Sequence, residues 1–142
     1  LFIIDLKLKF KKKLSLNKYL KTRKTFLITS KNNSSKLLAY KNLGYKIIFI
    51  SKLEDKNDLN LLFKKIYKMG YSRMLIETGL TFLNNLIRYK MINDLFIFKS
   101  NKKLGDKGKN NNTSNFLKKV HPKLLKINLN GDNLFKKEFN YV

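Results

Sequence analysis

The stretch MLIETGLTFLNNLIRYKMINDLFIFKSNKKLG, residues 74–105, decides which fold the chain can adopt. An apolar run that we predict as a strand over 72–77 passes through Glu-Thr-Gly straight into a helical pattern over 80–91, and a second strand pattern follows over 94–100. Two strands joined by one helix with connections this short predict a βαβ unit. Such a unit requires a parallel pair of strands and a right-handed crossover.

Further strand and helix patterns lie on both sides of this unit. Strand patterns cover 1–4, 25–29, 45–50, 123–130 and 134–142, and helical patterns end at Gly44 and Gly70, the second with Asn57 or Asp58 as its N-cap. Gly-Asp-Asn at 131–133 predicts a tight turn that closes an antiparallel hairpin, and the polar stretch 99–115 predicts a flexible loop. We therefore expect an α/β fold with a mainly parallel sheet, flanking helices and a C-terminal antiparallel hairpin.

The charge of the chain invites a nucleic-acid interpretation. Lys and Arg number 32 against 9 Asp and Glu, for a net charge of +23. Only Arg23, Arg73 and Arg88 are arginines, although arginine is better shaped than lysine for bidentate phosphate and base contacts. The excess of Lys, Asn, Ile, Phe and Tyr is typical of an AT-rich genome. We interpret the charge as a solvated basic surface, and a small basic nucleic-acid-binding module stays the alternative function, with a steep salt dependence of affinity as its signature.

The remaining composition excludes several classes of protein. The chain has no cysteine, which excludes a disulfide framework, a thiolate zinc site and a cysteine nucleophile. Its apolar runs are far shorter than the ~20 residues that cross a bilayer. We expect one cytoplasmic domain over 1–142. Because the chain opens on Leu1 with a strand pattern, we expect the true start of the protein to lie upstream.

The Glu-Thr-Gly turn has a physical interpretation of its own. A strand that ends at Glu77 and turns through Gly79 into a helix places the helix N-terminus, with its unpaired N–H groups and positive dipole end, at the carboxyl edge of the sheet. Such an end can bind phosphate, Gly79 lets backbone and ligand approach closely, and Thr78 or Thr81 can donate a hydroxyl. A helix that merely needs an N-terminal turn explains the same residues, so both interpretations stay open.

Four segments of the chain carry a family resemblance. GYSRMLIETGLTFLNNLIRYKMINDLFIFKSNKKLGDKG, residues 70–108, has the order glycine, apolar strand, Glu-x-Gly, helix and strand. It is similar to the C-terminal reductase domain of the bifunctional riboflavin biosynthesis deaminase/reductase. The segments 2–30, 42–70 and 127–139 resemble the flanking parts of that domain, so the resemblance covers nearly all of the chain.

This resemblance implies a dihydrofolate-reductase-like fold and a function. Members bind NADPH and reduce the ribose of 5-amino-6-(5-phosphoribosylamino)uracil to a ribityl chain, so the chain is expected to be an oxidoreductase. By the resemblance Glu77 contacts the substrate. The residues implied to cradle the NADPH phosphates are Gly79, Leu80, Thr81, Phe82, Leu83, Asn84 and Asn85. The resemblance assigns no individual catalytic residue and no metal ligand. Because the family is usually oligomeric, we expect a homodimer.

Departures from the family pattern limit what the chain can do alone. Thr78 stands where the family usually has a glycine, which is tolerable only if that position needs no positive φ. Leu6 follows Asp5 where a serine commonly helps hold the cofactor. Nothing matches the family's first reductase strand or the basic residues that hold the substrate phosphate, and the deaminase half is absent. We interpret the chain as the C-terminal portion of a reductase domain, incomplete at its N-terminus.

Two other clusters have plainer explanations than a binding site. Glu54, Asp55 and Asp58 are better explained as chemistry at the start of a helix than as a metal site. Phe96 and Phe98 alternate at strand spacing, which predicts core positions more than a base-stacking platform.

Overall fold

The computed structural model describes residues 1–11, 14–30, 34–100 and 120–141. These residues form two compact units, Leu1–Met74 (unit 1) and Leu75–Val142 (unit 2), and each is described by itself. Most of the predicted loop 99–115 lies outside the described residues. The single domain over 1–142 stays a prediction.

Unit 1 is a parallel three-stranded sheet with two helices. Its strands are β1 (Phe2–Ile4), β2 (Phe26–Thr29) and β3 (Lys46–Phe49), in the order β1-β2-β3. The helix α1 (Ser34–Asn42) connects β2 to β3, and α2 (Lys56–Lys68) follows β3. The predicted strands and helices of unit 1 are confirmed to within about two residues. Their bounds could be predicted because the apolar periodicity and the glycines that end the helices indicate the same positions. Gly44 and Gly70 take φ of +103° and +91°, the left-handed conformation expected just past a helix.

The core of unit 1 lies on both faces of β2, all of whose residues are buried. Neighbouring strand residues point to opposite faces. Leu27 therefore packs with Leu37 and Tyr40 of α1, while Ile28 packs with Leu62 and Ile66 of α2. The strands of a parallel sheet that is covered on both faces are apolar at consecutive positions, and the sequence of β2 has this pattern.

The start of α2 differs from the prediction in one residue. Its N-cap is Asp55, whereas Asn57 or Asp58 was expected, because Asp55 and Asp58 form a reciprocal capping box. The Asp55 carboxylate accepts a hydrogen bond from the Asp58 N–H at 2.9 Å, and the Asp58 carboxylate accepts one from the Asp55 N–H at 3.3 Å. The helix-start interpretation of this acidic cluster is confirmed. Within the described residues, no three His, Cys, Asp or Glu side chains are placed to share a metal ion.

Unit 2 contains one helix and an antiparallel sheet. The helix is α3 (Leu80–Arg88), and the strands are β4 (Asp94–Lys99), β5 (Lys123–Leu129) and β6 (Asp132–Glu138), in the order β4-β6-β5. Both strand pairs are antiparallel. Across the described ranges of the whole chain, no helix has the length and apolarity to cross a membrane.

The predicted βαβ unit around α3 is wrong. Residues 72–77 do not form a strand, and β4 pairs antiparallel with β6. A strand exists only through hydrogen bonds to a neighbour, and no described strand pairs with 72–77, whose Leu75 is 84% exposed. A βαβ unit does occur in the chain, as β2-α1-β3. The described strands thus form two separate three-stranded sheets, where one mainly parallel sheet was predicted.

Two further predictions for unit 2 are corrected. The hairpin turn lies at Asn130 and Gly131, with φ of +51° and +95°, because Leu129 pairs directly with Asp132. A two-residue turn with two positive φ angles matches the twist of the strands, and Asn-Gly is its preferred sequence. The expected core positions of Phe96 and Phe98 are also wrong, since these rings are 46% and 70% exposed.

Candidate functional site

The predicted ligand residues Glu77 to Asn85 lie together in unit 2, at and before the start of α3. Glu77 is exposed and precedes the helix by three residues. The predicted strand leading into Glu77 is absent, so the irregular backbone of 71–79 presents this carboxylate and the helix start. Glu77 therefore lies just before α3, but the strand that was expected to end at Glu77 is not formed.

Gly79 is the N-cap of α3, and its backbone could be adopted by any residue. Its φ and ψ are −72° and 163°, and a Cβ added there would meet no atom within 4 Å. The fold of unit 2 therefore does not itself require glycine at this position. The open space beside Gly79 lets a ligand approach the backbone. Thr78 lies outside the left-handed region, so the condition for tolerating a threonine there is met.

The first turn of α3 leaves N–H groups for a ligand. Within the described part of the chain, no side chain caps this helix, and Thr78 Oγ1 donates only a long 3.4 Å bond to the Gly79 carbonyl. The Leu83 N–H donates to that same carbonyl at 3.1 Å, as the helix requires. The N–H groups of Leu80, Thr81 and Phe82 precede this bond and lack a helical acceptor. An anion would be held by these three groups and by the helix dipole.

The other predicted cofactor residues can act only through side chains. The N–H groups of Leu83, Asn84 and Asn85 lie inside the helix, where they serve its own carbonyls. Asn84 Oδ1 is buried and has no hydrogen-bond partner among the described residues. A buried amide oxygen without a donor costs free energy, so Asn84 Oδ1 is a candidate acceptor for a ligand N–H. We rank Leu80, Thr81 and Phe82 above the two asparagines as phosphate contacts.

A concave site lies in unit 1, at the carboxyl edge of the parallel sheet. This edge cleft has a volume of about 370 Å³ and is lined by residues that follow β2 and β3 and by α2, among them Ser30, Phe49, Ser51, Lys52, Leu61 and Lys65. Ligands of open α/β sheets bind beyond the carboxyl ends of the strands. The edge cleft is therefore the place in unit 1 where a ligand is expected.

The two lysines of the edge cleft differ in their charge balance. Lys52 Nζ lies 4.0, 3.7 and 3.8 Å from carboxylate oxygens of Glu54, Asp55 and Asp58. Lys65 Nζ donates to the Phe49 carbonyl at 2.8 Å and has no carboxylate within ion-pair distance among the described residues. Three carboxylates thus outnumber the single positive charge of Lys52, whereas no carboxylate of the described residues pairs with Lys65.

The acidic side chains near the edge cleft accept hydrogen bonds from backbone N–H groups at the start of α2. The hydrogen bond from the Asp58 N–H, with Lys52 as a further cause, holds the pKa of the Asp55 carboxyl below its ordinary value of 3.8. Asp58 also accepts from the Glu54 N–H at 2.9 Å. These carboxylates keep their negative charge, and Asp58 also lines the edge cleft.

The loop after β1 closes one side of this sheet edge. The Asp5 carboxylate accepts from the Phe10 N–H at 2.8 Å, so it shapes its own loop. The Leu6 carbonyl accepts from Thr29 Oγ1 at 3.2 Å and Ser30 Oγ at 3.0 Å. Leu6 thus contributes a backbone acceptor at the position where the family resemblance led us to expect a serine hydroxyl.

Sequence reasoning missed the edge cleft entirely. Its residues come from two strand ends and one helix, so no spacing in the sequence connects them. A signal was nevertheless present, because Ser30 directly follows β2 and Ser51 lies two residues after β3. Polar residues just beyond parallel strands are ligand candidates.

A comparison with protein families identifies the family of the chain. The sequence profile of the RibD C-terminal domain matches residues 1–134. The chain belongs to the RibD C-terminal domain family. No curated protein matches the chain. RibD C-terminal domains have a dihydrofolate-reductase-like α/β fold and are the reductase domains of riboflavin biosynthesis. The resemblance found in the sequence is confirmed, and membership of this RibD family implies an oxidoreductase role.

Proposed function

We propose that the chain carries out the NADPH-dependent reduction of the ribose of 5-amino-6-(5-phosphoribosylamino)uracil to the ribityl chain. The observation that carries this proposal is the RibD C-terminal domain match, which extends over residues 1–134 and so covers all of unit 1 and most of unit 2. The local geometry supports the proposal at the start of α3. An uncapped helix start beside an open glycine is a ready site for the phosphates of a dinucleotide.

The residues of the chain have separate roles in this reaction. The N–H groups of Leu80, Thr81 and Phe82 would hold the pyrophosphate, and the missing side chain at Gly79 would let it approach. The exposed carboxylate of Glu77 would accept hydrogen bonds from the hydroxyl groups of the substrate. NADPH supplies, when bound, the hydride for the sugar carbon that becomes the first carbon of the ribityl chain. The protein contributes orientation and the placement of charge.

Titration of NADPH fluorescence tests the proposal on wild type, Gly79→Val and Glu77→Gln. We expect Gly79→Val to weaken binding at least about tenfold, since a branched side chain would fill the space for the phosphates. Glu77→Gln should keep NADPH affinity and lose affinity for the substrate. Thermal unfolding is the control, because the φ of −72° at Gly79 permits valine and predicts a loss of only about 1 kcal/mol of cap stability.

Two outcomes would overturn parts of this proposal. Equal NADPH affinity in wild type and Gly79→Val would remove the phosphates from the start of α3. A wild-type chain that binds neither NADPH nor the phosphoribosylaminouracil substrate would contradict the proposed reaction for this chain.

A further inference from the structure

The antiparallel sheet of unit 2 has two edge strands, β4 and β5, that differ in their protection. β5 directly follows Pro122 and begins with Lys123, and its pairing with β6 shifts register between Leu125 and Leu129. Proline, lysine and bulges are features that hinder an edge strand from pairing with another chain. β4 instead pairs with β6 over six consecutive residues without a shift, and it has charged residues only at its two ends. The edge of β4 is therefore open, whereas the edge of β5 is blocked.

The backbone of β4 presents hydrogen-bonding groups along its open edge. The Phe139 N–H donates to the Asn93 carbonyl at 2.7 Å, so these two residues form a hydrogen-bonded pair of the antiparallel ladder. Hydrogen-bonded and non-hydrogen-bonded pairs alternate along such a ladder. The N–H and C=O groups of Asp94, Phe96 and Phe98 therefore point away from β6, and no strand of the described ranges pairs with them there.

The side chains along this edge suit a second copy of the chain. Phe96 and Phe98 lie on one face of the sheet and are 46% and 70% exposed. On the same face, Lys136 Nζ lies 3.1 Å from a carboxylate oxygen of Asp94 and 2.6 Å from one of Glu138. The positive charge of this lysine is thus matched locally, although the chain as a whole carries +23. Two copies of so basic a chain repel each other least where carboxylates and apolar rings lie together.

We propose that two copies of the chain pair through the open edges of β4, antiparallel and about a two-fold axis between their Ile97 residues. This register sets Phe96 of each copy opposite Phe98 of the other, and aromatic cross-strand pairs stabilise a sheet. The β4-β6-β5 sheets of the two copies then form one sheet of six strands. Because the pairing uses the open edge of both copies and the β5 edges stay blocked, the assembly closes as a dimer and does not extend into a fibre.

Sedimentation velocity over a range of protein concentrations tests the proposal on wild type, Phe98→Lys and Leu124→Lys. Leu124→Lys is the matched control, since it adds the same charge at a 54% exposed leucine of β5, on the other edge of the same sheet. We expect wild type to form a dimer. Phe98→Lys should weaken this dimer at least about tenfold, because the lysine enters the pairing twice, and Leu124→Lys should leave it nearly unchanged.

Amide hydrogen exchange in wild type locates the pairing without any substitution. In the dimer the N–H groups of Phe96 and Phe98 donate to the other copy, so their exchange should slow as protein concentration rises. The Leu124 N–H lies on the blocked edge and should exchange at the same rate at every concentration. This measurement also keeps the proposal testable if Phe98→Lys does not fold, which thermal unfolding of that variant shows.

Four results would overturn the proposal. Wild type that stays monomeric at every concentration would exclude the pairing, and equal weakening by Phe98→Lys and Leu124→Lys would show only general charge repulsion. A dimer in which the Phe96 and Phe98 amides exchange as fast as in the monomer would place the interface elsewhere. Assemblies that keep growing with concentration would contradict the closed two-fold pairing.

Discussion

The strands β2 and β4 have similarly apolar sequences, but they bury them differently. All four residues of β2 are buried, whereas along β4 the buried Leu95 alternates with the exposed Phe96 and Phe98. The difference comes from the surroundings, because α1 and α2 cover both faces of β2. β4 lies at the edge of an antiparallel sheet, which can leave one face to solvent. An apolar residue in a strand is thus a core residue only where another element covers it.

The largest expected effect on stability comes from a substitution in the buried strand β2, compared with one on the exposed face of β4. Ile28→Ala should lower the free energy of unfolding by about 3 kcal/mol, because it opens a cavity between β2 and α2. Phe98→Ala removes a larger side chain and should cost about 0.5 kcal/mol, since that ring is 70% exposed. Urea unfolding of both variants measures the two losses. Should Ile28→Ala fail to fold, Ile28→Val with an expected loss of about 1 kcal/mol keeps the comparison measurable.

An intermediate effect is expected at the start of α2. Asp58→Ala removes the acceptor for the N–H groups of Glu54 and Asp55 and should cost about 1 to 2 kcal/mol. Glu54→Ala is the matched control, because its carboxylate is 78% exposed and lies 4.0 Å from Lys52. Thermal unfolding that shows equal losses in the two variants would contradict the role of the capping box.

The smallest effect is a dependence of stability on pH. Since hydrogen bonding in the folded state lowers the pKa of Asp55, its contribution is fully present above the ordinary value of 3.8 and is lost as pH falls through the lowered value. Asp55→Asn keeps a capping oxygen without the charge. Between about pH 5 and pH 2, the unfolding temperature of Asp55→Asn should therefore fall less than that of wild type. Parallel curves would refute this coupling.

Helices, strands and their ends could be predicted well from the sequence, whereas the pairing of strands could not. The elements of unit 1 follow from apolar spacing, the capping acids and the stops at Gly44 and Gly70, which all act within a few residues. The segment 72–77 contains an apolar run at 74–76 but has no strand beside it among the described residues, and a pairing partner is not a local property of the sequence. In the hairpin, Asn-Gly at 130–131 forms the turn, although the prediction placed it at the adjoining Gly-Asp-Asn.

The candidate site shows the same difference between features that are local in the sequence and features that form only in the folded chain. Glu77 and Gly79 could be proposed from the sequence because they are neighbours in one short segment. The start of α3 at Leu80 is confirmed, and the binding roles of Glu77 and Gly79 stay predictions. The edge cleft could not be predicted from spacing, because Ser30, Ser51 and Lys65 meet only after β2, β3 and α2 have assembled.

The two-residue turn at Asn130 and Gly131 also sets an order of folding. It joins β5 to β6 through neighbours in the chain, so this hairpin can close in about 1 to 10 μs, whereas β4 and the parallel strands must bring distant residues together first. The preformed edge of β6 then becomes the template on which β4 is added. We expect pulsed amide exchange to show protection at Leu129 and Asp132 before protection at Leu95, with β4 completing the sheet last.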